Sequence, residues 1–466
     1  MQQIEAQNED NRKTAHSTLI WVAKAKRPLT VSELTVAPAI KPGAQSLNED
    51  HLLDIETVLA VCAGLVIVDK ESSVVRLVHY TTQEYLDSIQ ALLFPDSQTE
   101  IACTLLTFLA FDGHPDSSWK LGNLPPLVEY SQYCLAYAAG QPEVQLREML
   151  LRFLGQAFQW MKLMNDRLKG EYKWDSSPWN YSHPPSQPSA LWIAAAANLV
   201  ETTKFLLEGA PLLQDSENPE IIVASYYGHM KIVHILLENG ANVNAAGGEH
   251  GSSLQAAAAG GYTEIVGILL DKGADVNAAG GRYGSSLQAA AQGGHTEIVC
   301  ILLDKGADVN AAGGEYGSSL QAAAQGGHTE IVHILLDKGA DVNIEGGRYR
   351  SSLQAAAQGG HTEIVCMLME WDTRVLGCRV ALHLSGPRPH VQSVRLGPEL
   401  LSKVELGLSV RILRDKPEGR KDGAEGQKDG RTEARRQTDS WTEVWIVKEG
   451  REQTMGVQRQ STLIIN

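Results

Sequence analysis

Apolar and polar positions in the middle of the chain follow two superimposed periods. In the string Thr-Glu-Ile-Val-x-Ile-Leu-Leu-Asp-Lys, residues Ile265, Val266, Leu269 and Leu270 fall at i, i+1, i+4 and i+5, which makes one apolar helical face. The longer period is 33 residues, the interval separating Leu254, Leu287, Leu320 and Leu353 in successive copies of one context. The octet Gly-Ser-Ser-Leu-Gln-Ala-Ala-Ala begins at Gly251, Gly284 and Gly317, and Arg350 replaces the glycine in the last copy. Gly-Ala-Asp-Val-Asn follows at Gly273, Gly306 and Gly339.

These strings predict a helix pair per unit. Ser252 is placed to cap a short alanine-rich helix, and Gly260 and Gly261 break it. Thr263 or its neighbour opens a second helix, and Gly273 takes a left-handed position at its end. Asn277 to Tyr283 then forms a glycine-rich turn to the next unit. Small side chains at Ala256 to Ala258 let the two helices approach closely. One such pair cannot bury its apolar face alone, so neighbouring pairs are expected to stack.

Weaker copies extend the array upstream. Asn218 to His250 aligns through Ile221, His229, Leu236, Leu237 and Gly240 to Asn244, and Ser189 to Ala210 aligns through Leu191, Ala194 to Ala196, Phe205, Leu206 and Gly209. Leu191 and Ile221 are 30 residues apart, so three residues are missing between these copies. Six units result. The sixth departs from the pattern after Met369, leaving Ile364, Val365, Leu368 and Met369 without a polar capping unit. Either residues 371–466 cover this end or the terminus reflects a truncated or erroneous reading frame, and the second reading is the one favoured on sequence.

Before the repeats the pattern differs. Thr30-Val-Ser-Glu33 and Thr81-Thr-Gln-Glu84 read as capping boxes, with a helix from about Asp54 to Cys62 between them. Strand-like runs Leu65 to Val68 and Val74 to Val78 flank a turn at Asp69 to Ser73. Three helices, a hairpin and a further helix is the order of a winged-helix module. Residues 97–163 read as helical throughout, Tyr172 to Pro188 as a linker, and Lys416 to Arg436 as disordered for want of apolar side chains. The predicted organisation is residues 1–95, winged helix; 96–170, helical adaptor; 171–187, linker; 188–370, repeats; and 371–466, low-complexity tail.

Composition narrows the function. The net charge of −15 is uneven, with −12 in residues 188–370 and +4 in residues 371–466, so the repeats are expected to repel nucleic acid. Val58 to Val68 is the longest apolar run and is too short to span a bilayer. The mixed-charge start predicts no secretory signal, hence a cytoplasmic address with the nucleus open to it. Six cysteines without a Cys-x-x-Cys pair read as reduced, mostly buried thiols.

The GADVN, TEIV and ILL elements over Ser189 to Glu370 resemble the ankyrin-repeat family, whose usual Thr-Pro-Leu-His is here Ser252-Ser253-Leu254-Gln255. Glutamine must therefore replace the ordinary histidine network. Residues from about Ile4 to Phe111 carry Lys26-Arg-Pro-Leu-Thr30, Cys62-Ala-Gly-Leu65 and Arg76-Leu-Val-His-Tyr-Thr-Thr-Gln-Glu-Tyr85. They resemble the winged-helix segment that follows the NACHT module in fungal NLR-like proteins. That domain type is also labelled after an inositol deacylase, a label that is not an activity. The resemblances imply a mainly α chain: an α+β winged helix and a helical adaptor, then an ankyrin solenoid and a disordered tail. They also imply a scaffold or sensor in signalling or non-self recognition. No Gly-x-x-x-x-Gly-Lys-Ser/Thr loop occurs in the sequence, so nucleotide hydrolysis is not expected.

The candidate chemistry is recognition rather than catalysis. His295, His328 and His361 recur at the repeat interval, but packed helices lie about 10 Å apart, too far for equivalent side chains to share a metal. They are expected to bond between repeats. His79 has no partner nucleophile and is assigned a core or capping role, and no Gly-x-Ser-x-Gly elbow is present. The winged-helix third helix holds Asp54 and Glu56 and no basic residue, which disfavours the alternative of a DNA-binding regulator.

Units starting at Gly251, Gly284 and Gly317 differ at only four positions between neighbours, among them the turn tips. Resemblance to ankyrin repeats places tips and inner helices on the binding side. The predicted partner-binding residues are Glu249, His250, Arg282, Tyr283, Glu315, Tyr316, Arg348 and Tyr349, helped by Gln292, Gln325 and Gln358. Tyrosine suits this role because it offers rigid contact area at small entropic cost. The expected partner is a protein of unknown identity, with no cofactor, metal, membrane, nucleic acid or small-molecule substrate.

Overall fold

The computed structural model describes residues 1–115, 124–167, 185, 187–209 and 219–371, and beyond these the backbone of three short strands. The chain divides into two compact units, Met1–Gly248 and Glu249–Asn466.

The first unit opens with helices α1 (Gln2–Glu5) and α2 (Glu9–Lys24), strand β1 (Leu29–Thr30), and helices α3 (Val31–Val36) and α4 (Ile55–Val61). Strands β2 (Val66–Asp69) and β3 (Val74–Leu77) and helix α5 (Tyr80–Leu93) complete the module. The three strands form an antiparallel sheet in the order β1-β3-β2, with Leu29 opposite Val75 and Val66 opposite Leu77. Leu19, Trp21, Leu34, Val58, Val75 and Leu86 fill the core beneath it.

The capping box at Thr30 forms as expected, the hydroxyl accepting from Glu33 N–H and the Glu33 carboxylate from Thr30 N–H. The one expected at Thr81 does not. Helix α5 starts two residues earlier, because His79 Nδ1 accepts from Thr81 N–H at 3.2 Å and takes the N-cap itself.

The adaptor holds α6 (Ser97–Leu109), α7 (Cys134–Ala138), α8 (Pro142–Gln145) and α9 (Arg147–Arg167). It is not helical throughout, since Gly113, Pro115, Pro125 and Gly140 interrupt the apolar pattern with residues that end helices. Tyr130 and Tyr137 hydroxyls are hydrogen-bonded at 2.7 Å, and both accept from Lys26 N–H, tying the adaptor to the winged helix. Glu143, buried on α8, receives Val200 N–H, Thr202 N–H and the Thr202 hydroxyl at 2.9–3.1 Å. That carboxylate caps the second helix of the first repeat.

The two upstream repeats are α10 (Ala190–Ala196) with α11 (Val200–Gly209), and α12 (Pro219–Tyr226) with α13 (Met230–Glu238). Ser189 caps α10. His229 Nε2 bonds to Ala196 O, 33 residues back, where the downstream histidines reach 36 back. The difference is the three-residue gap visible in the sequence.

The second unit carries four further pairs: α14 (Ser253–Gly260) with α15 (Thr263–Asp271), α16 (Ser286–Gly293) with α17 (Thr296–Asp304), α18 (Ser319–Gly326) with α19 (Thr329–Asp337), and α20 (Ser352–Gly359) with α21 (Thr362–Trp371). Ser252 and Gln255 form a reciprocal capping box, and Ser285, Ser318 and Ser351 cap their helices in the same way through the hydroxyl. Gly273 N–H and Ala274 N–H return to Leu270 and Leu269 carbonyls, the two bonds of a Schellman ending. Alanines 256–258 and their equivalents are fully or nearly fully buried between stacked pairs. The sixth unit completes both helices, and α21 runs on to Trp371.

Strands Val380–His383 and Val410–Leu413 pair in parallel, and Val410–Leu413 pairs antiparallel with Thr442–Glu443. Most of the predicted linker and the stretch Lys416 to Arg436 lie outside the described residues. Among described cysteines no disulfide forms. Cys62 and Cys134 are buried but Cys300 is exposed, because it occupies the outward position of its helix. Burial pushes the Cys62 thiol up to about 11.

Candidate functional site: the hairpin tips of the repeats

Each turn between units in the second body is a small hairpin. Gly280 and Gly284 exchange backbone hydrogen bonds, and residues 281–283 make the tip; Gly313 with Gly317 and Gly346 with Arg350 repeat the arrangement. Successive tips touch through their backbones. Arg282 N–H donates to Glu249 O at 2.6 Å, Glu315 N–H to Arg282 O at 2.7 Å, and Arg348 N–H to Glu315 O at 2.7 Å.

This closeness explains the second glycine of each tip. A Cβ on Gly281 would lie 2.5 Å from Gly251 N and 2.8 Å from Glu249 O, and at Gly314 and Gly347 it would collide with the backbone of Tyr283 and Tyr316. At all three, φ is positive, between 61° and 64°. Only glycine meets both conditions.

Side chains continue the row. Ring centroids of His250, Tyr283, Tyr316 and Tyr349 succeed one another at 6.1, 6.4 and 6.4 Å, with interplanar angles of 22°, 8° and 28°. Arg282 bonds Glu315 at 2.7 Å and Glu249 at 3.2 Å, and Arg348 reaches Glu315 at 3.3 Å. Each arginine also lies over its neighbouring ring, 5.9 Å from Tyr283 and 5.8 Å from Tyr349. The eight tip residues chosen from sequence therefore form one continuous structure, closer-spaced than the helices behind it. Not all are available to a partner. His250 and Tyr316 are buried, and burial raises the Tyr316 phenol above its ordinary pKa. Tyr283, Tyr349, Glu249 and Glu315 are half-buried, and Arg282 and Arg348 are exposed.

Gln292 and Gln325 lie half-buried at the ends of the first helices and Gln358 is exposed. Their columns sit beside the histidines rather than in the tip row. His295, His328 and His361 donate from Nε2 to the carbonyls of Ala259, Gln292 and Gln325 at 3.1–3.2 Å, the bonding between repeats that the sequence implied. No group of three His, Cys, Asp or Glu side chains among the described residues is arranged for a metal ion.

Two ladders run through the repeats, a glutamine network that the sequence implied and an asparagine bridge that sequence reasoning missed. Gln255, Gln288 and Gln321 send Nε2 to carbonyls 23 residues on, at 2.8–3.0 Å, and so take over the helix-opening network left without its usual histidine. Asn277 and Asn310 each bridge to the next unit, through the Gly306 or Gly339 carbonyl and the Asp308 or Asp341 N–H. The invariant Asn of Gly-Ala-Asp-Val-Asn was the visible trace of this bridge.

Residues 246–313 and 289–377 match the pattern described as ankyrin repeats (3 copies), and residues 221–270 that described as ankyrin repeats (many copies). These are ankyrin repeats. Residues 2–102 match the description GPI inositol-deacylase, winged helix domain, over the same stretch that folds as helices around a three-stranded sheet. No curated protein matches the chain. The chain thus combines a winged-helix domain with ankyrin repeats, an organisation that supports a role in protein–protein interaction and does not favour DNA recognition by the winged helix. No helix among the described residues is long and apolar enough to cross a membrane.

Proposed function

We propose that the protein is a non-enzymatic scaffold or sensor that binds a protein partner along its ankyrin tips, in cytoplasmic signalling or non-self recognition. The observation that carries this reading is the tip row itself. Four consecutive turns are joined by backbone bonds, stacked rings and ion pairs into a pre-organised edge, and a pre-organised edge loses little entropy on binding. Ankyrin tips vary while the Leu, Ala and Val positions behind them stay constant, the division expected of a constant frame carrying a reading edge. The fungal NLR-like resemblance of residues 4–111 supports the signalling context, and the absence of a phosphate-binding loop from the sequence supports binding without turnover.

Affinity purification with the full chain as bait tests the reading. A captured partner should be lost when Tyr283→Ser and Tyr349→Ser are combined, and retained when Cys300→Ser alters an exposed position in the middle of a second helix. Retention of the partner by the tyrosine variant would contradict the placement.

A further inference from the structure

The tip row is formally balanced in charge, but its two signs are not equally presented. Side-chain exposure along the row is 13% at Glu249, 43% at Arg282, 31% at Glu315 and 66% at Arg348. The guanidiniums face outward, and the carboxylates sit lower, holding them in place. A partner approaching the edge meets arginine, then glutamate, then arginine, with the half-buried rings of Tyr283 and Tyr349 beside the two arginines.

A second observation lies at the end of the row. Arg350 occupies the position of Gly284 and Gly317, keeps the hairpin bridge to Gly346, and stands at φ 65°. Left-handed backbone costs an ordinary residue about 1–2 kcal/mol. The Arg350 side chain is exposed, and no carboxylate among the described residues pairs with it. The hairpin bridge holds this backbone in place, and what it presents to solvent is a cation that the equivalent positions of the other copies lack.

The spacing selects a conformation. Three tyrosine rings succeed one another at 6.4 Å, and an extended strand advances about 6.7 Å in two residues. An α-helix advances about 6 Å in four residues, but its successive i+4 positions rotate by about 40° and leave a straight row after two rings. The N–H groups of Arg282, Glu315 and Arg348 are already used between tips, so at these residues a bound segment is read through side chains.

We propose that the row binds an extended segment of the partner protein with the charge order acidic, x, basic or neutral, x, acidic. The two carboxylates, four residues apart, meet Arg282 and the pair Arg348 and Arg350, and the central residue faces Glu315. This inference rests on the tip reading above and adds the chemistry of the ligand.

Fluorescence anisotropy of the full chain with two labelled peptides tests it, one carrying Glu-Thr-Lys-Thr-Glu and the other the inverted Lys-Thr-Glu-Thr-Lys. Three exposed ion pairs predict about a tenfold preference for the first, shrinking with salt. Arg350→Gly, which restores the residue of the other copies, should weaken the first peptide several-fold without harming the fold. Equal binding of both peptides, an unaltered affinity with Arg350→Gly, or no binding of either at millimolar peptide would overturn the proposal. Hydrogen exchange with the purified partner separates the two levels. Protected tips together with charge-blind peptides would sink the ligand chemistry alone, whereas unprotected tips would sink the tip reading as well.

Discussion

His328 Nε2 donates to the Gln292 carbonyl at 3.1 Å across the junction between two repeats, and its ring rests against Gly294. A Cβ on Gly294 would lie 2.5 Å from His328 Cε1, and Gly294 is at φ 76°. Gly294→Ala should therefore lower stability by about 1–3 kcal/mol through backbone strain and a displaced histidine. Thermal unfolding followed by circular dichroism reads this as a lowered midpoint, and an unchanged midpoint would show that the glycine is incidental.

Gln288 donates to the Ala311, Gly313 and Gly317 carbonyls at 3.0–3.4 Å from a buried position, whereas Gln354 in the last repeat is half-exposed. Gln288→Leu is expected to cost about 1–3 kcal/mol because it removes the donor to the Ala311 carbonyl, while the Gly313 and Gly317 carbonyls keep each other's N–H groups. Gln354→Leu should cost clearly less. Equal losses in parallel urea titrations would refute the glutamine ladder as the substitute for the usual histidine network.

The frame of the repeats was legible in the sequence because each element depends on local chemistry. Ser252 before Leu254, the glycine pair at 260–261 and the apolar face of Ile265 and Leu269 specify caps, breaks and helices without knowledge of neighbours. Tip residues were legible as variable positions, but their mutual engagement was not. The burial of His250 and Tyr316 follows from contacts between tips 33 residues apart, which no local pattern encodes. The same holds for Glu143, a surface-type residue in the sequence that is buried as the cap of a helix 57 residues away. His79 shows the reverse failure, a strong local motif at Thr81 losing to a neighbour with a better-placed acceptor.

Arg350→Gly should raise stability by up to about 1 kcal/mol. Relief of the left-handed backbone is partly offset by the greater freedom of glycine in the unfolded chain. A lowered midpoint would mean that the arginine supports the fold.

Burial lowers the pKa of His229 below its ordinary 6.5, against the opposing effect of its bond to the Ala196 carbonyl. A folded state that resists protonation has its full stability above pH 6.5 and loses it as pH falls from 6.5 through the lowered value. His229→Gln should flatten that part of the stability profile, measured as thermal midpoints across the acid range. A profile identical to that of the parent chain would exclude His229 as its source.

The claim on which the functional reading stands is that successive tips form one hydrogen-bonded row. Amide hydrogen exchange resolved to single residues tests it on the free protein, at Arg282, Glu315 and Arg348, whose N–H groups donate to the preceding tip. The row predicts protection close to that of the buried helical amides at Ala289 and Ala322, which donate to the Ser285 and Ser318 carbonyls. Exchange at the rate of an open surface loop would show that the tips move independently, and the pre-organised binding edge would not exist.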